Sequence, residues 1–536
     1  MYTHPRSVAH KVFDAWISPD RFTKNPDIVR LPEGRLLLVY SDTDFHWSME
    51  VQILTILASD DDGATWFKLA EVDRADLTKG DERLVTPRLS CLSDGRLAVI
   101  VDHDDYGHFH EDQSSGNWIY WSADGGKTWS DYQTTGIMGF EPDRIIELPD
   151  GSLAVGSHIM FAESQMYAEI MSCSDDQGKT WHRRSVIAHD GYHFFCEGAL
   201  VVLKEPEAAH GTRLACIMRE NRSAGIPCFV CFSDDLGKTW TGPEMAPFAL
   251  HRPYAKQLED GRVLVTGRHV NGGLGTYAWI GDLQKEAGTY AVGGPRTSHA
   301  ISIGKGEMAI ANGTGLESGF TLLPPEDNRS EFHLEFMLRL TADNDEHVAY
   351  VSTGKLAKMV FFFSRKGIAV KQGHTERLRA VDFSTSRKVT INHKNGLFTV
   401  SIDGEAVFHF PVIAEGPYIG DFHGGIKENR VQFGGCNESG QSFWRNIAYS
   451  IKNRTLPPFS WEWDAESGQR PDQYQQERMI QIHQNDTNQQ PWPDHGYSSW
   501  LVLPDGRIIL VDYTNRGDKP GKSHIVGVHL EMSDLK

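Results

Sequence analysis

The sequence has no long hydrophobic run and a shortage of positive charge. Lys and Arg number 53 and Asp and Glu number 72, which gives a formal net charge of −19. Because such a chain repels polyanions, binding to nucleic acid or to an anionic membrane through bulk electrostatics is not expected. No stretch approaches the length of a transmembrane helix, and the first residues lack the apolar run of a signal peptide.

Cysteine is also scarce, with seven residues in 536. Only Cys228 and Cys231 have CxxC spacing, and one such pair without a second Cys or His pair is weak evidence for zinc or redox chemistry. We therefore interpret both as ordinary strand residues and expect neither a metal nor a cofactor. Free thiols and the missing signal peptide together predict a cytoplasmic protein.

Glycine and aromatic residues are plentiful, and a repeat of the form S-x-D-x-G-x-T-W occurs four times. The copies are residues 59–66, 122–129, 174–181 and 233–240. A second repeat, in which a turn of the form L-x-D/E-G joins two apolar strands, lies between them. Its copies are residues 31–40, 92–101, 148–157, 258–267 and 503–512.

The Asp-Gly or Glu-Gly pair of the second repeat suits the positive-φ positions of a tight hairpin. Each unit is therefore a small antiparallel sheet of the size of one propeller blade. A further unit, residues 197–218, has the same form with a longer turn. The innermost strands then number six, and the sequence predicts an all-β protein built on a six-bladed β-propeller.

The repeat stops over residues 293–456, where the strands are longer and alternate more regularly. Turns at Asn395-Gly396 and Asp403-Gly404 suggest a β-sandwich, and the end of this segment resembles a concanavalin-like lectin domain of the laminin-G type. We expect blades one to five in residues 1–292, an inserted lectin-like sandwich in 293–456, and the last blade in 457–536.

The octapeptides resemble the Asp-boxes, or BNR repeats, of the sialidase (neuraminidase) superfamily. In these boxes the Ser and Asp close a turn between outer strands and the Trp packs between sheets, so they indicate fold rather than chemistry. The resemblance implies a glycoside hydrolase of the exo-sialidase kind. Such an enzyme releases a terminal acidic sugar with retention of configuration, using a Tyr nucleophile, a Glu and an Asp acid/base.

The resemblance places the nucleophile at Tyr497, in a Y-S-x-L type strand with the turn glycine Gly506 nine positions later. A neutral phenol suits a sugar whose anomeric carbon bears a carboxylate, because that carboxylate repels an Asp or Glu nucleophile. Glu197, which opens the fourth innermost strand, is the expected partner base. Arg219, at the end of the next strand, is the expected partner of Glu197.

Three Arg hold the substrate carboxylate in the family. Lys24, ten residues before Gly34, stands where the resemblance expects the first of them, and a Lys cannot form the bidentate fork. Arg219 corresponds to the second. Either Arg268 or Arg252 corresponds to the third, and Arg268 is preferred because it ends the second strand of its blade as Arg219 does.

Further polar residues occupy equivalent ends of the predicted strands. Asp42 and Asp44 are the candidates for the acid/base, and one of the two is expected to cap a loop. Candidate substrate-binding residues at other strand ends are Arg88, Glu141, Arg144, His103 and His108.

The favoured interpretation is a hydrolase that acts on an acidic oligosaccharide or glycoconjugate bearing terminal sialic acid or a related ulosonic acid such as Kdn or Kdo. One alternative is a lyase or hydrolase for uronic-acid glycans, with a His of segment 103–110 as the base. Another is a carbohydrate-binding propeller without catalysis. The sequence leaves the oligomeric state open.

Overall fold

The computed structural model describes most of the chain. The described residues are 6–104, 116–136, 139–190, 193–221, 226–269, 274–289, 291–294, 300–311, 318–327, 329–342, 345–354, 359–372, 375–411, 431–436, 440–472, 478–485, 494–515 and 522–536. Strands dominate these residues. None of the helices found in them has the length and apolar character needed to cross a membrane.

Twenty strands precede the long insertion. They are β1 (Val12–Trp16), β2 (Phe22–Arg30), β3 (Leu36–Thr43), β4 (Val51–Ser59), β5 (Phe67–Asp76), β6 (Arg83–Cys91), β7 (Leu97–Asp104), β8 (Trp118–Ser122), β9 (Gln133–Thr134), β10 (Ile146–Glu147), β11 (Leu153–Phe161), β12 (Met166–Ser174), β13 (His182–Ala188), β14 (Phe195–Lys204), β15 (Thr212–Glu220), β16 (Phe229–Ser233), β17 (Glu244–Met245), β18 (His251–Gln257), β19 (Val263–His269) and β20 (Gly275–Gly281).

The helices are short. The α-helix α1 covers Leu283–Glu286, and single 3₁₀ turns cover Ala9–Lys11, Leu77–Lys79, Ala209–Gly211 and Ala465–Ser467.

Nineteen strands follow α1. They are β21 (Val292–Gly293), β22 (Ala300–Gly304), β23 (Glu307–Ala311), β24 (Ser318–Leu322), β25 (Glu331–Ala342), β26 (His347–Thr353), β27 (Val360–Ser364), β28 (Gly367–Gln372), β29 (Thr375–Ala380), β30 (Arg387–Lys394), β31 (Leu397–Ile402), β32 (Glu405–Pro411), β33 (Val431–Gly435), β34 (Gly440–Lys452), β35 (Phe459–Trp463), β36 (Met479–Gln484), β37 (His495–Val502), β38 (Ile508–Thr514) and β39 (His524–Leu530).

Six antiparallel four-stranded sheets form the blades, which confirms the expected all-β six-bladed propeller. Blades one to four are β2–β5, β6–β9, β10–β13 and β14–β17 in sequence order. Blade five is β18-β19-β20-β36, and blade six is β37-β38-β39-β1. The N-terminal strand β1 therefore pairs with β39, and this pairing joins the two ends of the ring.

Both sequence repeats fold as local chemistry requires. Each turn glycine of the second repeat has positive φ, for example +109° at Gly34 and +85° at Gly506. Each Asp-box joins the third and fourth strands of a blade. In the first box the Ser59 and Thr65 hydroxyls donate to the Asp61 carboxylate at 2.8 and 2.6 Å. The boxes thus hold the outer edge of the blades, as expected.

The insertion lies inside blade five, and not ahead of the last blade as the sequence suggested. Strand β20 pairs with β36, although almost 200 residues separate them, so β36 completes blade five. Strand β35, Phe459–Trp463, pairs with the insertion strand β34 rather than with a blade. The insertion therefore extends beyond the expected end at residue 456. The sequence did not reveal this end, because neither β35 nor β36 carries a blade repeat.

The insertion is a sandwich of two sheets. One has the order β21-β24-β33-β26-β27-β28-β29 and the other β22-β23-β34-β25-β30-β31-β32, with β35 beside β34. Side chains of both sheets, such as Phe336, Phe361, Phe433 and Trp444, share one buried core. The next residue after β24, Leu323, instead lies in the core of blades three and four.

Candidate active site

Every blade carries one residue in the left-handed region at the same place in its innermost strand or, in blade three, just before it. The six residues, which we call the bulge residues, have φ between +48° and +64°: Asn25, Thr86, Glu141, Glu197, Arg252 and Tyr497. In five blades the pairing with the second strand shifts by one residue at this point. A repeated bulge re-aims a side chain at each strand opening, and strain of this kind clusters at functional sites.

A second set of residues lies opposite the bulges. Each pairs, on the second strand, with the residue just before the bulge residue: Ser41, Asp102, His158, Arg219, Arg268 and Tyr513. Two of them hold the bulge of the following blade. The backbone N–H of Glu141 donates to Asp102 Oδ2 at 3.1 Å, and that of Glu197 donates to His158 Nδ1 at 3.3 Å.

The Tyr497 hydroxyl donates to Glu141, at 3.0 Å from Oε1 and 3.1 Å from Oε2. From the sequence we expected Glu197 to be the partner of Tyr497, and the structure corrects this expectation to Glu141. Burial raises the pKa of Tyr497 well above its ordinary value, and the charges of Glu141 and Glu197 act in the same direction. The phenol is therefore neutral near pH 7 and needs a base to become a nucleophile.

Glu197 lies in the same cluster but contacts Arg219, whose Nη1 donates to Glu197 Oε1 at 2.6 Å. Burial and the charge of Glu197 raise the pKa of Glu141 to about 7. Burial acts against ionisation of Glu197 as well, but the charges of Arg219, Arg252 and Arg268 lower its pKa to about 2. Two neighbouring carboxyls thus have widely separated pKa values, an arrangement typical of acid/base sites.

Three guanidinium groups surround the Tyr497 ring. The Cζ atoms of Arg252 and Arg268 lie 5.5 Å from the ring centroid, and that of Arg88 lies 6.0 Å away. Arg252 is committed to the backbone, since it donates to the carbonyls of Glu141 and Pro142. Arg88 is only 1% exposed, and its Nη1 lies 3.9 Å from Asp27 Oδ1, so it belongs to the buried side of the cluster.

Arg144 belongs to a structural network and not to the substrate side. Its guanidinium binds Asp27 through Nε and Nη2 and also donates to Tyr254 and Ser499. These partners come from blades one, five and six, so the network joins strands across the axis. Arg144 and Tyr254 also line a cavity of about 280 Å³, together with residues that include Asp143, Leu200 and Lys256.

Lys24 and Arg268 both face a buried carboxylate that the sequence did not single out, Asp494. Lys24 Nζ donates to the backbone carbonyl of His46 at 2.5 Å. Burial lowers the pKa of Lys24 to about 8, although the charges of Asp494 and Glu141 act to raise it. Lys24 is therefore at the site, but its hydrogen bond to the His46 carbonyl holds the β3–β4 loop.

The two candidate acid/base Asp residues are both engaged. Asp42 accepts from Arg21 Nε at 2.5 Å. Asp44 accepts from the Ser48 hydroxyl and from the backbone N–H of Met49, so it caps the β3–β4 loop. The sequence expected one loop cap among the two, and Asp44 has this role.

His103 is also held away from ligand binding. Its Nδ1 contacts Glu82, its Nε2 lies 2.6 Å from the Gly116 carbonyl, and its ring stacks on Trp118 with centroids 4.2 Å apart. His108 lies outside the described residues. Within the described part of the chain no group of three or more His, Cys, Asp or Glu could hold a metal ion.

Sequence reasoning thus brought Tyr497, Glu197, Glu141, Arg219, Arg252 and Arg268 to one site but missed Asp494, His46, His158 and Tyr513. A signal existed for two of these. His158 and Tyr513 end second strands at the blade position of Arg219 and Arg268, so the repeat alone marks them. Asp494 and His46 lie outside the repeat and become visible only through their contact.

Comparison with known proteins agrees with the fold. Residues 108–272 match the family model described as BNR repeat-like domain. No curated protein matches the chain. Together with the six blades, the match confirms the resemblance to the Asp-box propellers of the sialidase superfamily at the level of the fold.

Solved structures of several kinds are similar at low identity. A Dyadobacter fermentans protein of unknown function is 17% identical with a TM-score of 0.44, covering 59% of this chain and 95% of its own. A mutant Trypanosoma rangeli sialidase displaying trans-sialidase activity is 13% identical with a TM-score of 0.38, covering 81% and 92%. A Bacteroides ovatus xyloglucan PUL protein, GH43B, is 11% identical with a TM-score of 0.35, covering 83% and 100%. At these values the neighbours say nothing of the chemistry of this chain.

Proposed function

We propose that this protein is a glycoside hydrolase that releases a terminal ulosonic acid, such as sialic acid, Kdn or Kdo, with retention of configuration. The observation that carries the proposal is the hydrogen bond from the buried Tyr497 hydroxyl to Glu141, within a cluster of guanidinium groups. A neutral nucleophile surrounded by cations suits a sugar with a carboxylate on its anomeric carbon.

Glu141 is the base that takes the proton of Tyr497. A base must be strong enough to compete for the phenol proton, and a carboxyl with a pKa of about 7 is far stronger than one with a pKa of about 2. Glu197 is instead held as an anion by Arg219. Its role is to keep the pKa of Glu141 high and to orient Arg219.

The substrate carboxylate binds between Arg219 and Arg268. Arg252 and Arg88 are excluded as its main ligands, since the first holds backbone carbonyls and the second is fully buried. Arg268 donates to the His495 carbonyl and to Tyr513, which fixes its plane. The positive charges of Arg219 and Arg268 repel each other. An anion bound between the two guanidinium groups relieves this repulsion.

The lyase alternative has less support. Of the His residues in segment 103–110, His103 is fixed between Glu82 and a backbone carbonyl, and His108 and His110 lie outside the described residues. The binding alternative does not account for a buried Tyr held by a carboxyl of raised pKa.

Covalent trapping tests the proposal. The protein is incubated with 2,3-difluorinated derivatives of sialic acid, Kdn and Kdo, in which fluoride leaves from C2 and the 3-fluoro group slows hydrolysis. We expect one sugar on the peptide that contains Tyr497, found by mass spectrometry. Tyr497→Phe must abolish the label, and the neighbouring Tyr513→Phe must keep it on Tyr497. A label on another residue, or no turnover of any aryl ulosonide, contradicts the proposal.

A further inference from the structure

A retaining hydrolase needs a second group, which protonates the leaving oxygen and later deprotonates water. Both Asp residues of the β3–β4 region are occupied, Asp42 by Arg21 and Asp44 by the Ser48 hydroxyl and the loop backbone. Such a group must be near Tyr497, reach solvent and be held in a fixed orientation. Among the described residues of this loop, His46 reaches solvent and is held in a fixed orientation, and Asp494 and Arg268 link it to the surroundings of Tyr497.

His46 is oriented by Asp494. Its Nδ1 lies 3.0 and 3.1 Å from the two carboxylate oxygens of Asp494. The His46 side chain is 32% exposed and that of Asp494 only 4%, so the ring reaches solvent while the carboxylate does not. A buried carboxylate on Nδ1 fixes the tautomer and the orientation of the ring, which leaves Nε2 for proton transfer.

The pair is connected to the nucleophile. Asp494 lies three residues before Tyr497 on the same stretch of chain, and its charge faces Arg268. Arg268 in turn lies 5.5 Å from the Tyr497 ring and donates to Tyr513. Lys24 fixes the backbone of His46 through its 2.5 Å hydrogen bond to the carbonyl.

We propose that His46, oriented by Asp494, is the general acid/base of the reaction, an assignment that rests on the proposed function. In the first step the Tyr497 oxygen bonds to the anomeric carbon and its proton moves to Glu141. The glycosidic C–O bond breaks, and the His46 imidazolium gives its proton to the leaving oxygen. In the second step neutral His46 takes a proton from water, whose oxygen bonds to the anomeric carbon. The Tyr497–carbon bond then breaks, and Glu141 returns the proton to Tyr497.

The assignment also gives Lys24 a role other than binding the substrate carboxylate. An Arg at this position would serve a substrate carboxylate with two donors, whereas the Lys here gives its hydrogen bond to the loop that carries His46. Lys24 is thus a positioning residue for His46. Asp494 is a positioning residue as well, since it acts through the imidazole.

Dependence on the leaving group tests the assignment. Wild type, His46→Asn, Asp494→Asn and Asp44→Asn are compared on dinitrophenyl and alkyl glycosides of the same ulosonic acid. A dinitrophenolate can leave without being protonated, whereas an alkyl leaving group must receive a proton on its oxygen as the bond breaks. We therefore expect His46→Asn to lower kcat/KM about 10²- to 10⁴-fold for the alkyl glycoside and less than about 10-fold for the dinitrophenyl one. Asp494→Asn follows the same pattern more weakly, whereas any loss in Asp44→Asn is equal for both.

Trapping by the 2,3-difluoro sugar serves as the folding control, because fluoride can leave without a proton from His46. His46→Asn must still become labelled on Tyr497. Equal losses for both glycosides in His46→Asn, or a loss selective for the alkyl glycoside in Asp44→Asn, overturn the assignment and leave the proposed function standing. If the wild type cleaves neither glycoside, the proposed function itself fails.

Discussion

The hydroxyl of Tyr497 lies 3.0 Å from Oε1 of Glu141, although 356 residues separate them in the chain. Their strands belong to blades six and three, which stand opposite each other in a ring of six. The hydrogen bond therefore crosses the propeller axis, and the proposed nucleophile and base are brought together by the closed ring, in which β1 pairs with β39.

The pH dependence of kcat/KM should show whether Glu141 is the base. If Glu141 is the base, kcat/KM rises with pH as its carboxyl loses the proton, with a midpoint near the pKa of about 7. Glu141→Gln should lower kcat about 10²- to 10⁴-fold, because the amide accepts no proton. The measurement is a pH profile with the dinitrophenyl ulosonide, whose leaving group needs no proton from His46. Activity that stays level down to pH 3 would point instead to Glu197, whose pKa is about 2.

Ionisation of Glu141 should lower the stability of the fold, whereas ionisation of Glu197 should raise it. Burial and Glu197 raise the pKa of Glu141 from 4.5 to about 7, so its ionisation in the folded protein costs stability as pH rises between these values. Glu141→Gln should match wild type below pH 4.5 and be more stable at pH 8, by about 3 kcal/mol. Thermal unfolding at the two pH values provides the test.

Glu197→Gln is the matched counterpart. The pKa of Glu197 lies at about 2, below its ordinary 4.5, so its stabilising effect is complete above 4.5 and is lost as pH falls toward 2. The variant should be less stable than wild type at pH 8, because Arg219 loses its buried partner. Equal Tm changes of the same sign in the two variants would contradict the assigned ionisation states.

Gly496 should be needed for the position of Arg268. Its φ is +92°, and an added Cβ would lie 2.7 Å from the Cβ of Arg268. Gly506, with φ +85° and nothing within 4 Å of an added Cβ, is the matched control. Both Gly→Ala variants should lose about 1–2 kcal/mol of stability through backbone strain, and Gly496→Ala should lose more because its Cβ overpacks against Arg268. Only Gly496→Ala should also raise KM for the ulosonide, by about 10-fold or more, and an unchanged KM would contradict the role of Arg268.

Leu323 should attach the inserted sandwich to the propeller. The side chain is 1% exposed and lies in the core of blades three and four, although it directly follows sandwich strand β24. Leu323→Ala should therefore lower the free energy of unfolding by about 2–5 kcal/mol. Leu378→Ala, at a sandwich residue that is 63% exposed, is the control and should change little. Denaturant unfolding separates the two, and a silent Leu323→Ala would show that the contact is dispensable.

Much of the fold could be predicted because its signals are local. A positive-φ glycine such as Gly34 and the hydrogen bonds from Ser59 and Thr65 to Asp61 depend on a few neighbouring residues, so each repeat specifies its own turn. The insertion point could not be predicted in this way. Strand β36 carries no repeat, and its partner β20 lies on the far side of the sandwich in sequence.

The site divides in the same manner. By itself the sequence determined which residues open the inner strands and end the second ones, and so brought Tyr497, Glu197, Arg219 and Arg268 together, because the blade repeat fixes these positions. The tertiary structure alone decided which carboxyl meets Tyr497, since contacts across the axis depend on how six blades close into a ring. It alone placed His46 on Asp494, because a loop side chain and a buried carboxylate 448 residues apart share no local pattern.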